Sequence, residues 1–254
     1  MFPLAHLEFA GRLLGPLRIE AMLGAVFPDV VVAVDLGWEV THRLGAQLYS
    51  AAATARAEGH PDGEVLVRFA RAALTHGADP AGLDFYGDVA YDGVDRGFAY
   101  QVARPLADRV AAACRLPAQL GLWKAHNFVE MAVDLLVDEV HPGWGPSLAA
   151  ALTAAAPAAC VSSFLDDALA LPAGRVAACF ARFPSFVAVA DLSPLRLAQM
   201  YGVQVRAKHG VDEIDVVLAA ALIEEAVDLV RPETDRFFET AGEGVARVLA
   251  RFPG

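Results

Sequence analysis

The stretch 118–137, AQLGLWKAHNFVEMAVDLLV, has the clearest helical period in the chain. Its apolar residues recur every three or four positions, at Leu122, Ala125, Val129, Val133 and Leu136. This is the spacing of one buried helix face. A Pro-Gly pair at residues 142 and 143 ends the pattern. The stretch therefore predicts a long, buried helix.

The same period appears on both sides of this stretch. Residues 63–76 carry a second apolar face, with Asp62 as a candidate N-cap and Gly77 as a candidate C′ residue. Three later segments have proline at or near a first helical turn and acidic residues close behind, a pattern typical of helices: 194–201, 211–230 and 232–252. We therefore predict an all-α fold.

Four other segments are less regular. The alanine-rich run 148–165 predicts a buried helix or helix pair, because it is too weakly hydrophobic for a membrane span. Residues 30–34 and 186–189 are candidate strands, each without an evident partner. Residues 77–97 form a long irregular stretch with five aspartates and three aromatic residues. Loops of that length in compact domains usually have a function, and the aromatic content favours order.

The composition is that of a soluble globular protein and limits its partners. Of 254 residues, 56% are hydrophobic and 20% are charged, and the formal net charge is −11. That charge repels nucleic acid and anionic membranes. The three cysteines, Cys114, Cys160 and Cys179, have the spacing of neither a disulfide framework nor a zinc site. We expect a cytoplasmic protein with no signal peptide and no integral membrane segment, and its oligomeric state is left open.

Histidines and acidic residues in the first 140 positions indicate a metal site. His126, Glu130 and Asp134 are spaced i, i+4 and i+8, which places an imidazole and two carboxylates along one helical stripe. Zinc takes such ligands at about 2.0–2.2 Å, and side chains one turn apart can share one ion. A third group on the stripe can orient a ligand.

Structural roles compete with this interpretation at each position. Isolated histidines are often core residues, and His76 followed by Asp79 has the same spacing as His209 followed by Asp212 in an ordinary helical segment. Asp29 after a proline is also a candidate helix cap, and the aspartates of the irregular stretch are candidate turn formers. The later acidic runs are most simply the solvated faces of amphipathic helices.

The order of five motifs resembles the zinc-dependent phospholipase C family in its broad bacterial sense. These are LAHL at 4–7, LGAVFPD at 23–29, His42, LTHGADP at 74–80, and HNFVE at 126–130 followed by Asp134. The resemblance covers about residues 1–140 and implies an all-helical bundle that holds a metal cluster and hydrolyses a phosphodiester. The metal ligands it implies are His6, Asp29, His42, His76, His126 and Glu130. It further implies Asp79 as a ligand or catalytic general base, and Asp134 as a residue that contacts a metal ligand and orients it.

Two departures from the family favour a mononuclear or dinuclear site over a trinuclear one. The secreted phospholipases use an amino-terminal Trp as a ligand, and no Trp precedes Trp38. The family has Asp four residues after its central His and a further His beyond it. Here Asp79 is three residues after His76, and the next His is His126. The LAHL motif and THR at 41–43 also resemble acyl carrier protein phosphodiesterase, another helical metal-dependent enzyme.

Together these features predict a phospholipase C-like, metal-dependent hydrolase of a small or amphipathic phosphoester. Its cofactor would be one or two zinc ions, with Mn or Fe as alternatives. Residues 1–144 would form the metal-site core, and residues 145–254 a helical extension packed on the same domain. Arg96, Arg104 and Arg109 are candidate phosphate contacts, and the aromatic residues of the irregular stretch are a candidate lid. The alternatives are an acyl carrier protein phosphodiesterase-like enzyme and a helical binding or scaffold protein with a residual metal site.

Overall fold

A computed structural model of the chain describes residues 2–32, 36–189 and 191–254, and within them the fold is all-helical. The only β-type pairing among these residues is an isolated bridge between Tyr91 and Val94. The helices are α1 Pro3–Leu14, α2 Ile19–Val32, α3 Trp38–Thr41, α4 Gly45–Ala57, α5 Gly63–Leu74, α6 Phe98–Ala103, α7 Ala107–Ala113, α8 Gly121–Val140, α9 Trp144–Thr153, α10 Ala155–Ala168, α11 Arg175–Arg182, α12 Pro194–His209, α13 Val216–Val230 and α14 Thr234–Leu249. A π-helical turn covers Phe85–Val89, and three short 3₁₀ turns cover Arg104–Leu106, Ala118–Leu120 and Phe183–Ser185.

The helix predicted over 118–137 is α8, and it packs against α1, α6, α7 and α13. Its first three predicted residues form a 3₁₀ turn instead, and the helix continues to Val140. Phe128, Val129 and Val133 are fully buried on its apolar face. Pro142 lacks the N–H that another helical turn would need, so the helix ends before it.

The other predicted helices are also present, with shifted ends. The segment 63–76 contains α5, which ends at Leu74, two residues before His76. The three later segments are α12, α13 and α14, and α12 continues well past residue 201. Helix α13 begins later than predicted because Asp215 is its N-cap and accepts a hydrogen bond from the Leu218 N–H at 2.9 Å.

Neither candidate strand is a strand in the described part of the chain. Residues 30–32 belong to α2, and residues 33 and 34 lie outside the described residues. Residues 186–189 are turn and irregular backbone after a 3₁₀ turn. Val30 is fully buried in the helical core, and such burial outweighs the β-propensity of a short valine run.

The alanine-rich run 148–165 forms parts of α9 and α10, so of the two predicted alternatives, one helix or a helix pair, the structure has the pair. No single helix in the described ranges is long and apolar enough to span a membrane. Residues 144–153 and 158–168 reach that length and composition only as a pair, with a bend of 71° between them.

Close packing of α2 on α5 sets the geometry of the site. A Cβ at Gly24 would lie 2.1 Å from the carbonyl oxygen of Phe69, so only glycine permits this approach. Helix α13 packs against α7 and α8, and α14 packs against α1 and α5. The last hundred residues therefore contact the helices that carry the candidate site.

Candidate metal centre

Four side chains from separate parts of the chain converge on one point and form what we call the first cluster. Their potential ligand atoms all lie within 4.8 Å of one another: Asp29, His42, His76 and Asp84. Asp29 belongs to α2, His42 follows α3, His76 follows α5, and Asp84 precedes the π-helical turn. The first three are sequence-predicted ligands, and Asp84 is not.

The distances inside the first cluster match the edges of a coordination polyhedron. The Asp84 Oδ2 atom lies 3.0 Å from His42 Nε2 and 3.1 Å from His76 Nε2. Asp29 Oδ1 lies 3.4 Å from His42 Nε2. Two ligand atoms about 2.1 Å from one tetrahedral ion lie about 3.4 Å apart. Both imidazole Nε2 atoms are buried without a properly aligned hydrogen bond, so they point into the space between the carboxylates.

The opposite nitrogen of each imidazole faces a backbone carbonyl. His76 Nδ1 lies 2.6 Å from the carbonyl oxygen of Ala25, and His42 Nδ1 lies 3.2 Å from that of Trp38. The hydroxyl of Thr41 is also 2.8 Å from His42 Nδ1. Such contacts at Nδ1 orient the ring and leave Nε2 to face an ion, as in many metal-binding histidines.

The segment after α5 folds back on His42 and fixes the relative positions of the ligands. The N–H of Ala78 donates to the carbonyl of His42 at 2.8 Å, and the N–H of Asp84 donates to that of His76 at 2.8 Å. A Cβ at Gly77 would lie 2.5 Å from the His42 carbonyl oxygen. A side chain there would push apart the backbone that holds His42 and His76.

His6, another predicted ligand, lies at the edge of the first cluster. Its Nε2 is 3.4 Å from Asp84 Oδ1, and its ring stacks on His76 with centroids 3.5 Å apart. Neither ring nitrogen of His6 has a hydrogen-bond partner among the described residues. Burial, and then the neighbouring His76, lower the pKa of His6 to about 3. His6 is therefore a neutral imidazole, the form that binds metals.

The carboxylates of the first cluster favour the charged forms of His76 and His42 in the metal-free protein, against the effect of burial. Burial lowers the pKa of His76, but Asp84 and Asp29 outweigh it and raise the value to about 9. Burial raises the pKa of Asp84, yet neighbouring groups, His76 and His42 among them, hold it well below its ordinary value. A charge-balanced group of this kind can exchange its protons for a cation.

The cluster opens to solvent on one side. The side chain of Asp29 is 28% exposed, whereas that of Asp84 is 1% exposed and the imidazoles are fully buried. A catalytic metal site needs such an open position for water or substrate. Two surface grooves of about 430 and 330 Å³ lie elsewhere on the described surface, and no residue of the first cluster lines either one.

Asp88, His126 and Glu130 form a second cluster. Asp88 lies four residues after Asp84 across the π-helical turn, so the two clusters are neighbours. Burial, and then the carboxylates of Glu130 and Asp84, raise the pKa of Asp88 well above its ordinary value. Its Oδ1 atom is buried with no hydrogen-bond partner among the described residues. Two carboxylates beside one imidazole need a proton or a cation.

Polar and aromatic residues surround the second cluster. The Tyr201 hydroxyl donates to Asn127 Oδ1 at 2.9 Å. Asn127 Nδ2 in turn donates to Glu130 Oε2 at 3.2 Å and lies 3.1 Å from His126 Nε2. The ring of Tyr100 stacks on His126 with centroids 4.3 Å apart. A residue from α12 is therefore connected to the candidate ligands on α8.

The remaining predicted residues lie outside both clusters. Asp79 is exposed, so its assignment as ligand or general base stays a prediction. Asp134 is fully buried and accepts hydrogen bonds from the N–H groups of Leu4 and Ala5 at 3.1 and 2.8 Å. It therefore holds the first turn of α1, the helix that carries His6.

Two of the candidate phosphate-binding arginines and one aromatic residue of the candidate lid have identifiable partners. Arg109 forms a two-point ion pair with Glu225 at 2.6 and 2.7 Å. Arg96 instead lies over the Tyr100 ring, 5.3 Å from its centroid. The hydroxyl of Tyr86 packs so closely on Gly244 that a Cβ there would overlap it. That contact fixes part of the irregular stretch to α14.

Sequence reasoning missed Asp84 and Asp88 as site residues. Both lie among the five aspartates of the irregular stretch, yet their spacing of four residues, in LDFYGD at 83–88, matches that of His126 and Glu130. Comparison of the chain with protein-family models, curated proteins and solved structures finds no match. The geometry of the two clusters therefore carries the functional argument.

Proposed function

We propose that the protein is a metal-dependent hydrolase of phosphoesters, with one ion in the first cluster and a second ion in the neighbouring cluster. The observation that carries the proposal is the convergence of the buried Nε2 atoms of His42 and His76 on the carboxylates of Asp29 and Asp84. Mixed imidazole and carboxylate ligands suit zinc, manganese or iron. The fold we propose is a phospholipase C-like bundle, as the sequence motifs imply.

The charges of the two clusters support two cation positions. After burial, the nearby carboxylates of Glu130 and Asp84 raise the pKa of Asp88 further, so three carboxyl groups lie close together. One ion in the first cluster would not bind Asp88 or Glu130, whose carboxylates repel each other. A second ion there would bind His126 as well. When bound, such a pair supplies Lewis acidity and a more acidic water.

The protein side chains have distinct tasks in this proposal. The Nδ1 contacts of His42 and His76 hold both rings in place for the reaction. The partly exposed carboxylate of Asp29 lies on the side open to substrate. Arg96 is exposed and free of an ion pair among the described residues, and its position over Tyr100 places a guanidinium near the second cluster. We assign Arg96 to the substrate phosphate because a guanidinium matches phosphate geometry.

Metal analysis and hydrolysis test the proposal together. Purified protein should retain one or two equivalents of zinc or a similar ion after gel filtration. It should hydrolyse bis(p-nitrophenyl) phosphate or short-chain phosphatidylcholine, and lose that activity with a chelator. His209→Ala, at a histidine outside both clusters, is the matched control for His126→Ala and should keep its metal.

Three results would change this conclusion. A fully metallated protein that hydrolyses no phosphodiester would be a helical binding or scaffold protein with a structural metal site. Protein that cannot be loaded with any first-row metal at neutral pH contradicts the hydrolase assignment. Hydrolysis of acyl carrier protein but not of the two small substrates would favour the acyl carrier protein phosphodiesterase-like alternative.

A further inference from the structure

Both lysines of the protein lie near the ring of one tryptophan, Trp123. The chain has 20 lysines and arginines, of which only Lys124 and Lys208 are lysines. The Nζ atom of Lys124 lies 3.7 Å from the centroid of the Trp123 ring, and that of Lys208 lies 5.0 Å from it. His209 packs edge-on against the same ring, with centroids 5.7 Å apart. We call these four residues the basic cluster.

Lys124 is unusual because it is buried without an acidic partner. It is 4% exposed and is the only lysine or arginine among the buried residues that the structure describes. Within the described ranges no carboxylate forms an ion pair with either lysine. The groups that act on Lys124 electrostatically are Lys208 and Cys114, and those that act on His209 are the two lysines. Buried cations are normally paired.

Local helix electrostatics explain only part of this arrangement. Lys208 and His209 lie in the last turn of α12, where positive side chains interact favourably with the carbonyl end of the helix. Lys124 lies in the first turns of α8, where the helix dipole disfavours a cation. The packing of α12 on α8 thus brings like charges together in a protein whose net charge is −11.

We propose that the basic cluster binds a phosphate group, either inorganic phosphate or the phosphate end of a small ligand. A doubly charged oxyanion would offset the repulsion between the two ammonium groups and supply the missing partner of Lys124. The buried Nε2 atom of His209 has no hydrogen-bond partner among the described residues and offers a further polar contact.

This site is separate from the two metal clusters. Lys124 and His126 are two residues apart on α8, which places their side chains about 200° apart around the helix. The proposal therefore does not depend on hydrolysis, and it can be tested in protein stripped of metal.

Calorimetric titration of chelator-treated protein with inorganic phosphate and pyrophosphate tests the site, with sodium chloride as the ionic-strength control. Saturable binding is expected. Lys208→Gln should weaken it by about tenfold, the cost of a charge-assisted hydrogen bond. His209→Ala should weaken it less. Arg231→Gln removes one positive charge from an exposed pair with Glu139 and should leave binding unchanged. Absence of saturable binding, or equal affinity in Lys208→Gln and the unmodified protein, overturns the proposal.

Amine acetylation gives a second measurement that does not depend on a folded Lys124 variant. Because the chain has only two lysines, peptide mapping reports each one directly. Pyrophosphate should slow the acetylation of the exposed Lys208 in metal-free protein, whereas chloride at equal ionic strength should not. Equal acetylation rates with pyrophosphate and chloride contradict the proposal.

Discussion

The two clusters are neighbours through Asp84 and Asp88, but their charges are balanced in different ways. The first cluster sets the imidazoles of His42 and His76 against Asp29 and Asp84, and raised histidine pKa values balance the carboxylates without a metal. The second sets one imidazole against Asp88 and Glu130, and the pKa of Asp88 rises instead. The carboxylates of the first cluster are therefore balanced by histidines without a metal, whereas those of the second cluster favour uptake of a proton or a cation.

The largest expected effect is at the shared centre of the first cluster. Asp84→Ala leaves the protonated His76 buried with less compensating charge, which costs about 3–5 kcal/mol of unfolding free energy in metal-free protein. It should also remove the first ion and the hydrolytic activity. Chemical denaturation and elemental analysis measure the two effects. The control is Asp79→Ala: if that exposed variant loses activity but keeps its metal and stability, Asp79 is the general base.

The second cluster should respond to neutralisation in the opposite direction. Asp88→Asn replaces a buried carboxyl group, whose charged form Glu130 and Asp84 repel, with a neutral amide of similar size. We expect the melting temperature of the metal-free protein to stay the same or rise by a few degrees. The variant should bind one equivalent of metal fewer, and added zinc should stabilise it less than the unmodified protein. A lower melting temperature in the metal-free Asp88→Asn variant would contradict the proposed repulsion.

The helical fold could be predicted from sequence, but the clusters only in part. Apolar residues spaced three and four apart are a local signal, so α5 and α8 can be predicted without knowledge of the tertiary structure. The convergence of Asp29 with His76 depends on the close crossing at Gly24, which no local pattern reports. Asp84 was missed because its role depends on how the irregular stretch folds back onto His76.

Metal binding should strengthen with pH, mainly through the first cluster. Burial lowers the pKa of His76, but Asp84 and Asp29 raise it to about 9. The ion must therefore displace a proton below that pH. Zinc affinity should rise by about tenfold per pH unit for each proton released between about pH 6.5 and 9. Competition with a chromophoric chelator measures it.

The sign of the stability change follows from the same shift. A histidine whose pKa is raised on folding stabilises the metal-free protein fully below about pH 6.5. This contribution is lost as the pH rises through about 9. His76→Gln should flatten both the stability profile and the affinity profile over this window. Zinc affinity that does not change between pH 6.5 and 9 would show that His76 is neutral in the metal-free protein.

The smallest expected effect is on the link between the carboxyl-terminal helices and the second cluster. Tyr201→Phe keeps the buried ring but removes the hydroxyl that donates to Asn127, whose amide contacts Glu130. Loss of a group that orients a ligand typically lowers metal affinity by about tenfold or more. We expect a loss near the low end for the second ion only, because no residue of the first cluster contacts Asn127 in the described hydrogen bonds. The control, Tyr49→Phe, removes another tyrosine hydroxyl that donates to the Pro253 carbonyl far along the chain. A residue that orients a ligand should lower the affinity for the second ion only. If Tyr201→Phe weakens the binding of both ions equally, or if Tyr49→Phe lowers metal affinity by as much, Tyr201 contributes to general stability instead.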